Sequence, residues 1–148
     1  MSANVQSDEL RLERVVPTDE QVIVLYELLK SRTHTISHNS IPSYSEHTYF
    51  VRNNPYRVWF LVRFNNICIG SIYVTTDNTL GINILESHLD KCLDSVVSKA
   101  ISEIEPLPEL TSVRAGCFSV NVPFSNKVMA LKLDSIGFIP TQITYKKQ

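Results

Sequence analysis

Apolar and polar positions alternate along this chain in two periods, and their succession predicts its elements. Leu10, Leu12 and Val15 alternate with charged residues, which predicts a half-buried strand. Pro17-Thr18-Asp19-Glu20 reads as a helix start with a hydroxyl cap. From Glu20 onward Val22, Leu25, Leu28 and Leu29 recur at helical spacing, and the pattern fades near Ser31-Arg32-Thr33. A polar loop follows to Tyr44. Ser45 then begins a short helix with Tyr49 and Phe50 as its apolar face, closed by Asn53-Asn54-Pro55.

Val58–Phe64 and Ile67–Thr75 are β-branched, apolar runs joined by Asn65-Asn66, which predicts a hairpin. A turn at Asp77-Asn78 leads into a third strand, Leu80–Leu85. Ser87–Ile104 is the clearest helix, with Leu89, Leu93, Val96, Val97, Ala100 and Ile101 as one stripe facing the sheet. Leu110–Cys117 reads as a strand. Asn126–Ile136 reads as a helix stopped by Gly137, and Ile139–Tyr145 as a final strand. The predicted order is strand, helix, helix, three strands, helix, strand, helix, strand. Leu80–Leu85 and Leu110–Cys117 flank the long helix, so a right-handed crossover should pair them in parallel in one mixed sheet. Residues 1–8 read as a loose polar tail, and 9–148 as one domain.

Composition narrows the function. The chain has 148 residues, 43% apolar, 20% charged and a net charge of −1, an ordinary globular balance. With no basic excess to neutralise phosphates, nucleic acid is not an expected partner. The opening residues are not a signal peptide, and no apolar run is long enough for a membrane span. Cys68, Cys92 and Cys117 form no CxxC pair, so three buried thiols in a reducing cytoplasm are expected, with no metal.

Candidate chemistry concentrates between the first two helices. His34 and His38 lie four apart, with His47 nearby, and could supply a base for a substrate amine or remain polar loop residues. Glu46 is a second candidate base, or completes the first turn of its helix. Tyr44, Tyr49, Tyr56 and Trp59 could line a pocket; as packing residues, Tyr49 and Trp59 would be core and Tyr56 a strand-edge anchor. Asn126 is placed to cap its helix. Asn83, a polar residue in an apolar strand, marks a bulge or faces solvent.

From about Leu10 to Tyr145 this order resembles the GNAT superfamily of N-acyltransferases. Asn126-Lys-Val-Met-Ala-Leu-Lys-Leu-Asp-Ser-Ile-Gly-Phe138 carries that superfamily's Asn at the helix start and Gly-Phe just past its end. Gly81-Ile82-Asn83-Ile84 stands where its cofactor-edge strand lies, and Ser-His, Pro-Ser, Glu-His and Asn-Pro-Tyr follow in the order of one subgroup. The resemblance implies an α/β fold: a mixed twisted sheet with helices on both faces, opened into a V. It implies acetyl transfer from acetyl-coenzyme A to a small-molecule amine, and it is compatible with a homodimer. It implies His38 and Glu46 as candidate catalytic groups, and Asn83, Ile84, Lys91 and Asn126 as candidate cofactor contacts.

Two features depart from that pattern. The glycine-rich turn that holds pyrophosphate aligns with Leu89-Asp90-Lys91-Cys92-Leu93-Asp94, where every glycine is replaced and two carboxylates are added. Leu133 stands where many members place an acidic tyrosine, which leaves Tyr145 and Ser119 as proton donors by elimination. A silent binding module of the same fold is therefore the alternative to an enzyme.

Overall fold

The computed structural model describes residues 9–32 and 40–148. The loop histidines His34 and His38 and the polar tail at 1–8 lie outside the described residues. Strand β1 (Leu10–Arg14) leads to helices α1 (Asp19–Lys30) and α2 (Tyr44–Arg52). Both helices start on hydroxyl caps: Thr18 Oγ1 accepts from the Gln21 N–H, and Ser43 Oγ from the Glu46 N–H. Strands β2 (Val58–Phe64), β3 (Ile67–Val74) and β4 (Thr79–Ile84) form the antiparallel meander, followed by α3 (Glu86–Glu103), β5 (Ser119–Val120) and α4 (Lys127–Ser135).

The asparagines fix the turns. Asn65 (φ 50°) and Asn66 (φ 67°) close the β2–β3 hairpin, and Asn78 (φ 66°) closes β3–β4; asparagine tolerates this left-handed region better than most residues. The sheet order is β1-β2-β3-β4-β5, antiparallel except for the parallel pair β4–β5. A bulge between Val62 and Arg63 of β2 leaves Ile69 as the extra residue of β3.

Each face of the sheet carries its own core. On one face α3 and α4 bury Leu93, Val96, Val97, Ala100 and Leu133 against Phe60, Val62, Ile72 and Leu80. On the other, α1 and α2 bury Val22, Leu25, Leu28 and Val51 against Trp59 and Leu61. Ile101 departs from its expected place in the α3 stripe: it is 43% exposed, off the buried face formed by Leu89, Leu93, Val96, Val97 and Ala100. Tyr49 departs from its expected core place in the same way, lying 73% exposed on α2.

The C-terminal third corrects the sequence reading most. Leu110–Cys117 is a turn, not a strand: Leu110 and Arg114 form an isolated bridge, and Ser112 has φ 64°. Arg114 ties the turn down, donating from Nε to Pro108 O (2.9 Å) and from Nη1 to Thr76 O (3.2 Å). The parallel partner of β4 lies just beyond, with Ser119 opposite Thr79 and Val120 opposite Leu80. Cys117, left outside the sheet, is exposed, whereas Cys92 is buried in α3. Gly137 (φ 101°) stops α4 as expected, with Phe138 N donating to Leu133 O (3.0 Å). The final segment Ile139–Tyr145 forms no strand, and all of it is exposed. Among the described residues no helix is long and apolar enough to cross a membrane.

Candidate active site

β4 and β5 are paired over only two residues, Thr79 and Leu80, and diverge beyond them. The phase of the β3–β4 ladder follows from two hydrogen bonds, Thr75 N to Thr79 O (3.0 Å) and Leu85 N to Ile69 O (2.9 Å). In an antiparallel pair these groups alternate, so residues 79, 81, 83 and 85 direct their backbone toward β3. Leu80, Ile82 and Ile84 direct theirs to the opposite edge. β5 covers that edge at Leu80 and leaves it open at Ile82 and Ile84.

The open edge is the floor of a cleft of about 710 Å³. Val120, Asn121, Val122 and Asn126 wall it on the β5 side, and Leu85, Glu86 and Leu89 at the start of α3. On the other face of the sheet it continues between α1, α2 and the strands, past Arg32, Glu46, His47 and Trp59 to Ser71 and Tyr73.

His47 is the titratable group most tightly built into this wall. It is 5% exposed, and its Nε2 lies 3.0 Å from the Val22 carbonyl oxygen. A carbonyl only accepts, so Nε2 carries the proton and Nδ1 of the neutral ring keeps its lone pair. Burial lowers its pKa from the ordinary 6.5, opposed in part by that hydrogen bond. The ring packs against Tyr26, with centroids 5.0 Å apart. Beside it Glu46 also lines the cleft, and its Oε1 accepts from Ser43 Oγ at 3.0 Å, so it completes the first turn of α2 as well.

Aromatic rings form the inner wall. Tyr56 and Tyr73 stack at 3.8 Å with planes 5° apart, and Trp59 meets Tyr56 edge-on at 5.0 Å. The Tyr73 ring lies across Gly81, where any Cβ would come within 1.9 Å of it. Burial first, then the neighbouring Tyr73, push the Tyr56 phenol well above its usual range. It remains protonated and acts as a hydrogen-bond donor. The Trp59 Nε1 is buried, with no hydrogen-bond partner among the described residues.

The structure brings some sequence-predicted residues into the cleft and leaves others out. Glu46, Asn83, Ile84 and Asn126 line it. Asn83 marks no bulge: it pairs in register with Ser71 and faces the α1–α2 side. Asn126 caps α4, with Oδ1 accepting from Met129 N at 3.1 Å. Lys91 does not reach the cleft; its Nζ sits 4.9 Å from the centre of the Phe64 ring. Tyr145 is 90% exposed and apart from the cleft. Sequence reasoning weighed His47 without choosing it, and it missed Tyr73, Ser71 and the outward backbone of Ile82. Period-two alternation in ICIGSIYV put Ser71 and Tyr73 on one face; which face borders a cleft depends on where β5 stops.

The expected pyrophosphate turn is absent. Only Leu85 separates β4 from α3, and Leu89–Asp94 is helical throughout. Asp90 pairs with Lys132 of α4. The α3 carboxylate on the cleft wall is instead Glu86, in the first turn of the helix.

No family model matches the chain, and no curated protein matches it in sequence. Solved structures match its fold. A domain from Methanocaldococcus jannaschii DSM 2661 is 19% identical, with 92% of each chain covered and a TM-score of 0.66. A spermidine N-acetyltransferase SpeG chimera from Vibrio cholerae and hSSAT is 14% identical, over 90% of this chain and 82% of the other, with a TM-score of 0.66. The aminoglycoside N-acetyltransferase AAC(6')-Iy, in complex with CoA, is 14% identical over 97% and 98%, with a TM-score of 0.61. The fold is that of the GNAT N-acetyltransferases.

Proposed function

We propose that this protein is an N-acyltransferase that moves an acetyl group from acetyl-coenzyme A to a small-molecule amine. The observation that carries the reading is the open edge of β4: backbone groups of Ile82 and Ile84, beyond the reach of β5 and without a strand partner among the described residues, stand at the floor of a cleft that also holds His47. Backbone amides left without partners favour a ligand that carries its own amides. The pantetheine arm of coenzyme A does so, and it fits this edge. Asn83 and Asn126 flank the same stretch. The pyrophosphate fits less well. The N-terminus of α3 offers amides, but no glycine loop bares them and Glu86 adds a like charge.

Coenzyme A supplies the acyl group as a thioester. The chain's residues do the rest. The outward N–H of Ile82 or Ile84 polarises the acyl carbonyl, as fixed donors do where negative charge develops. As the amine nitrogen bonds to the acyl carbon, His47 Nδ1 takes its proton, directly or through one water, and the thioester C–S bond breaks to release the thiolate, which is protonated from solvent. Glu46, at the mouth, holds the amine as a cation before it loses that proton. The phenols of Tyr56 and Tyr73 orient the acceptor. His38 remains a further candidate base.

A silent binding module is the second reading. It is favoured by the missing glycine loop and by Leu133, which is packed in the core where a proton donor would stand. One experiment divides the two. Calorimetric titration with acetyl-coenzyme A and with free coenzyme A is followed by thiol-release assays over a panel of primary amines. Binding with amine-dependent thiol release is expected. Binding without release for any amine leaves the silent module, and no binding of either ligand overturns both readings of the cleft.

A further inference from the structure

The half of the cleft that borders α1 and α2 carries a charge arrangement that acetyl transfer alone does not require. The two helices run side by side in opposite senses. His47 Nε2 of α2 meets the Val22 carbonyl of α1. One turn further along α1, the Tyr26 phenol donates to Pro42 O at 3.1 Å and its ring meets Tyr44 with centroids 5.2 Å apart. The end of α1 therefore lies beside the start of α2. Arg32, just past α1, and Glu46, in the first turn of α2, come to the same mouth, and both line the cleft.

Neighbouring charges are already matched: Arg52 pairs with Asp19, and Lys30 with Glu27. Arg32 and Glu46 are not. Among the described residues neither forms an ion pair, with the other or with a third group; Glu46 accepts from the neutral Ser43 Oγ. The Arg32 charge also reaches the inner wall. Burial and Tyr73 raise the pKa of the Tyr56 phenol, and Arg32 opposes them. The rest of this wall is largely apolar or aromatic, with Leu25, Leu28, Phe50, Tyr56, Trp59 and Tyr73.

Opposite charges held apart on an apolar wall are complementary to a ligand whose own charges are held apart in the same way. A simple amine would satisfy Glu46 and leave the guanidinium to solvent. A second ammonium group would meet Arg32 as a like charge. The planar fork of an arginine suits carboxylate or phosphate oxygens, which it can bind two at a time. We infer that the acceptor is an amine that also carries one anionic group, the two joined by an apolar or aromatic body. Its ammonium lies by Glu46 before it loses a proton to His47, its anionic group lies on Arg32, and its body rests on Phe50, Trp59 and the Tyr56–Tyr73 stack. Arg32 is then a specificity-determining residue that acts on acceptor affinity and takes no part in proton transfer. This names the acceptor class of the site, and it rests on the acyl-transfer reading of the cleft.

Four probe amines that differ in one feature each test it. They are phenylalanine, its phosphonic acid analogue, phenethylamine, which lacks only the anionic group, and putrescine, which has a second ammonium instead. Calorimetry on the full chain, with and without coenzyme A, reads binding, and acetyl-coenzyme A-dependent thiol release reads transfer. At least one anionic amine should bind about tenfold or more tighter than phenethylamine, the size of one charge-assisted contact, and putrescine should bind least. Which anionic amine is preferred tells carboxylate from phosphate-like ligands. The preference should shrink as salt rises. Arg32 is exposed, so Arg32→Gln should leave the thermal melt in place. It should bring the anionic amines down to the level of phenethylamine, raising their KM far more than it lowers kcat, and Arg32→Lys should restore part of the preference. Phenethylamine or putrescine binding as tightly as the anionic amines overturns the proposal. So does a failure of all four to bind, or a preference that survives Arg32→Gln. Failure of the acyl-transfer reading looks different: selective binding without thiol release removes the transfer step and keeps the ligand class. Thiol release with no anionic preference removes the ligand class and keeps the transfer.

Discussion

Asn78 and Leu107 exchange two hydrogen bonds: Asn78 Nδ2 donates to Leu107 O at 2.9 Å, and Leu107 N returns to Asn78 Oδ1 at 2.8 Å. The same Nδ2 donates to Ala115 O at 2.8 Å, and the Asn78 carbonyl accepts from Ser119 N at 3.0 Å. One fully buried turn residue thus joins the β3–β4 turn to the whole α3–β5 connection. It holds β5 against the first two residues of β4 and fixes where the sheet divides. Replacing Asn78 by Ala orphans buried groups at about 1–3 kcal/mol each and strains a left-handed position. A loss of about 3 kcal/mol, or a Tm lower by on the order of 10 °C, is expected in a thermal melt. Asn78→Asp should recover little, because it keeps only the acceptor. A melt within 2 °C of the parent, by the same rough scale, would remove Asn78 from this role.

Buried helix positions give a sharper contrast. Val97 is 4% exposed under α3, and Ile101, one turn on, is 43% exposed. Val97→Asp places an unpaired charge in the core and should cost on the order of 4 kcal/mol. Ile101→Asp should change stability by less than about 1 kcal/mol. Urea unfolding of both variants checks the pair; equal losses would mean that α3 sits differently on the sheet.

How much of this was legible in the sequence depended on whether a signal was local. The Asn65-Asn66 hairpin, the Thr18 cap and the Gly137 stop each sit within a few residues of what they determine, and each formed as expected, whereas α2 starts at Tyr44 on a Ser43 cap, one residue before the expected start at Ser45. Leu110–Cys117 failed because its fate is set at long range. Arg114 reaches Pro108 and Thr76, which turns a β-like run into a tight turn and passes the pairing role to Ser119–Val120. Ile139–Tyr145 has a strand's pattern, yet among the described residues it pairs with no strand. The candidate site was legible by element and not by residue: the strand Leu80–Leu85 formed as β4 and borders the cleft, while the outward backbone of Ile82 rather than of Asn83 follows only from the ladder's phase.

Gly81 provides a test of the inner wall. Its missing Cβ is what lets Tyr73 lie across the strand and stack on Tyr56. Gly81→Val should drive the Tyr73 ring out and unstack the pair. Trp59 is the chain's single tryptophan, 6.4 Å from Tyr73, so its emission should shift. For an active enzyme the amine's KM should rise more than kcat falls. Unchanged emission would mean that the ring tolerates the side chain and the wall is not built on it.

The pH behaviour of His47 follows from the sign of its shift. Its folded pKa lies below 6.5, so the unfolded chain binds the proton more readily. Its contribution to stability is therefore complete above pH 6.5 and is lost as pH falls through the folded value. If His47 is the base, kcat/KM falls over the same acid range. His47→Gln should lower kcat by roughly 100-fold or more and flatten that limb. A variant with full activity and the parent's pH profile would leave His47 a packing residue held by Val22.

The last prediction concerns which carboxylate opposes coenzyme A. The resemblance pointed to Asp90 and Asp94, but they sit in the second and third turns of α3, outside the cleft lining, and Asp90 is already paired with Lys132. Glu86 stands in the first turn, exposed and on the cleft wall, where α3 presents its free amides. Two unit charges about 4 Å apart interact by about 4 kcal/mol at an effective dielectric near 20, and exposure and salt reduce this to about a third. That remainder is about tenfold in affinity. Glu86→Gln should therefore tighten coenzyme A binding about tenfold at low salt and less at high salt. Asp90→Asn with Asp94→Asn should leave affinity within about twofold, since their charges lie farther off and one is neutralised. Removing Glu86 also takes a favourable charge from the helix start, at roughly 0.3–1 kcal/mol of stability, so titrations belong well below the melting range. Gain in the Asp90/Asp94 variant without gain in Glu86→Gln would place the pyrophosphate along the side of α3 rather than at its N-terminus.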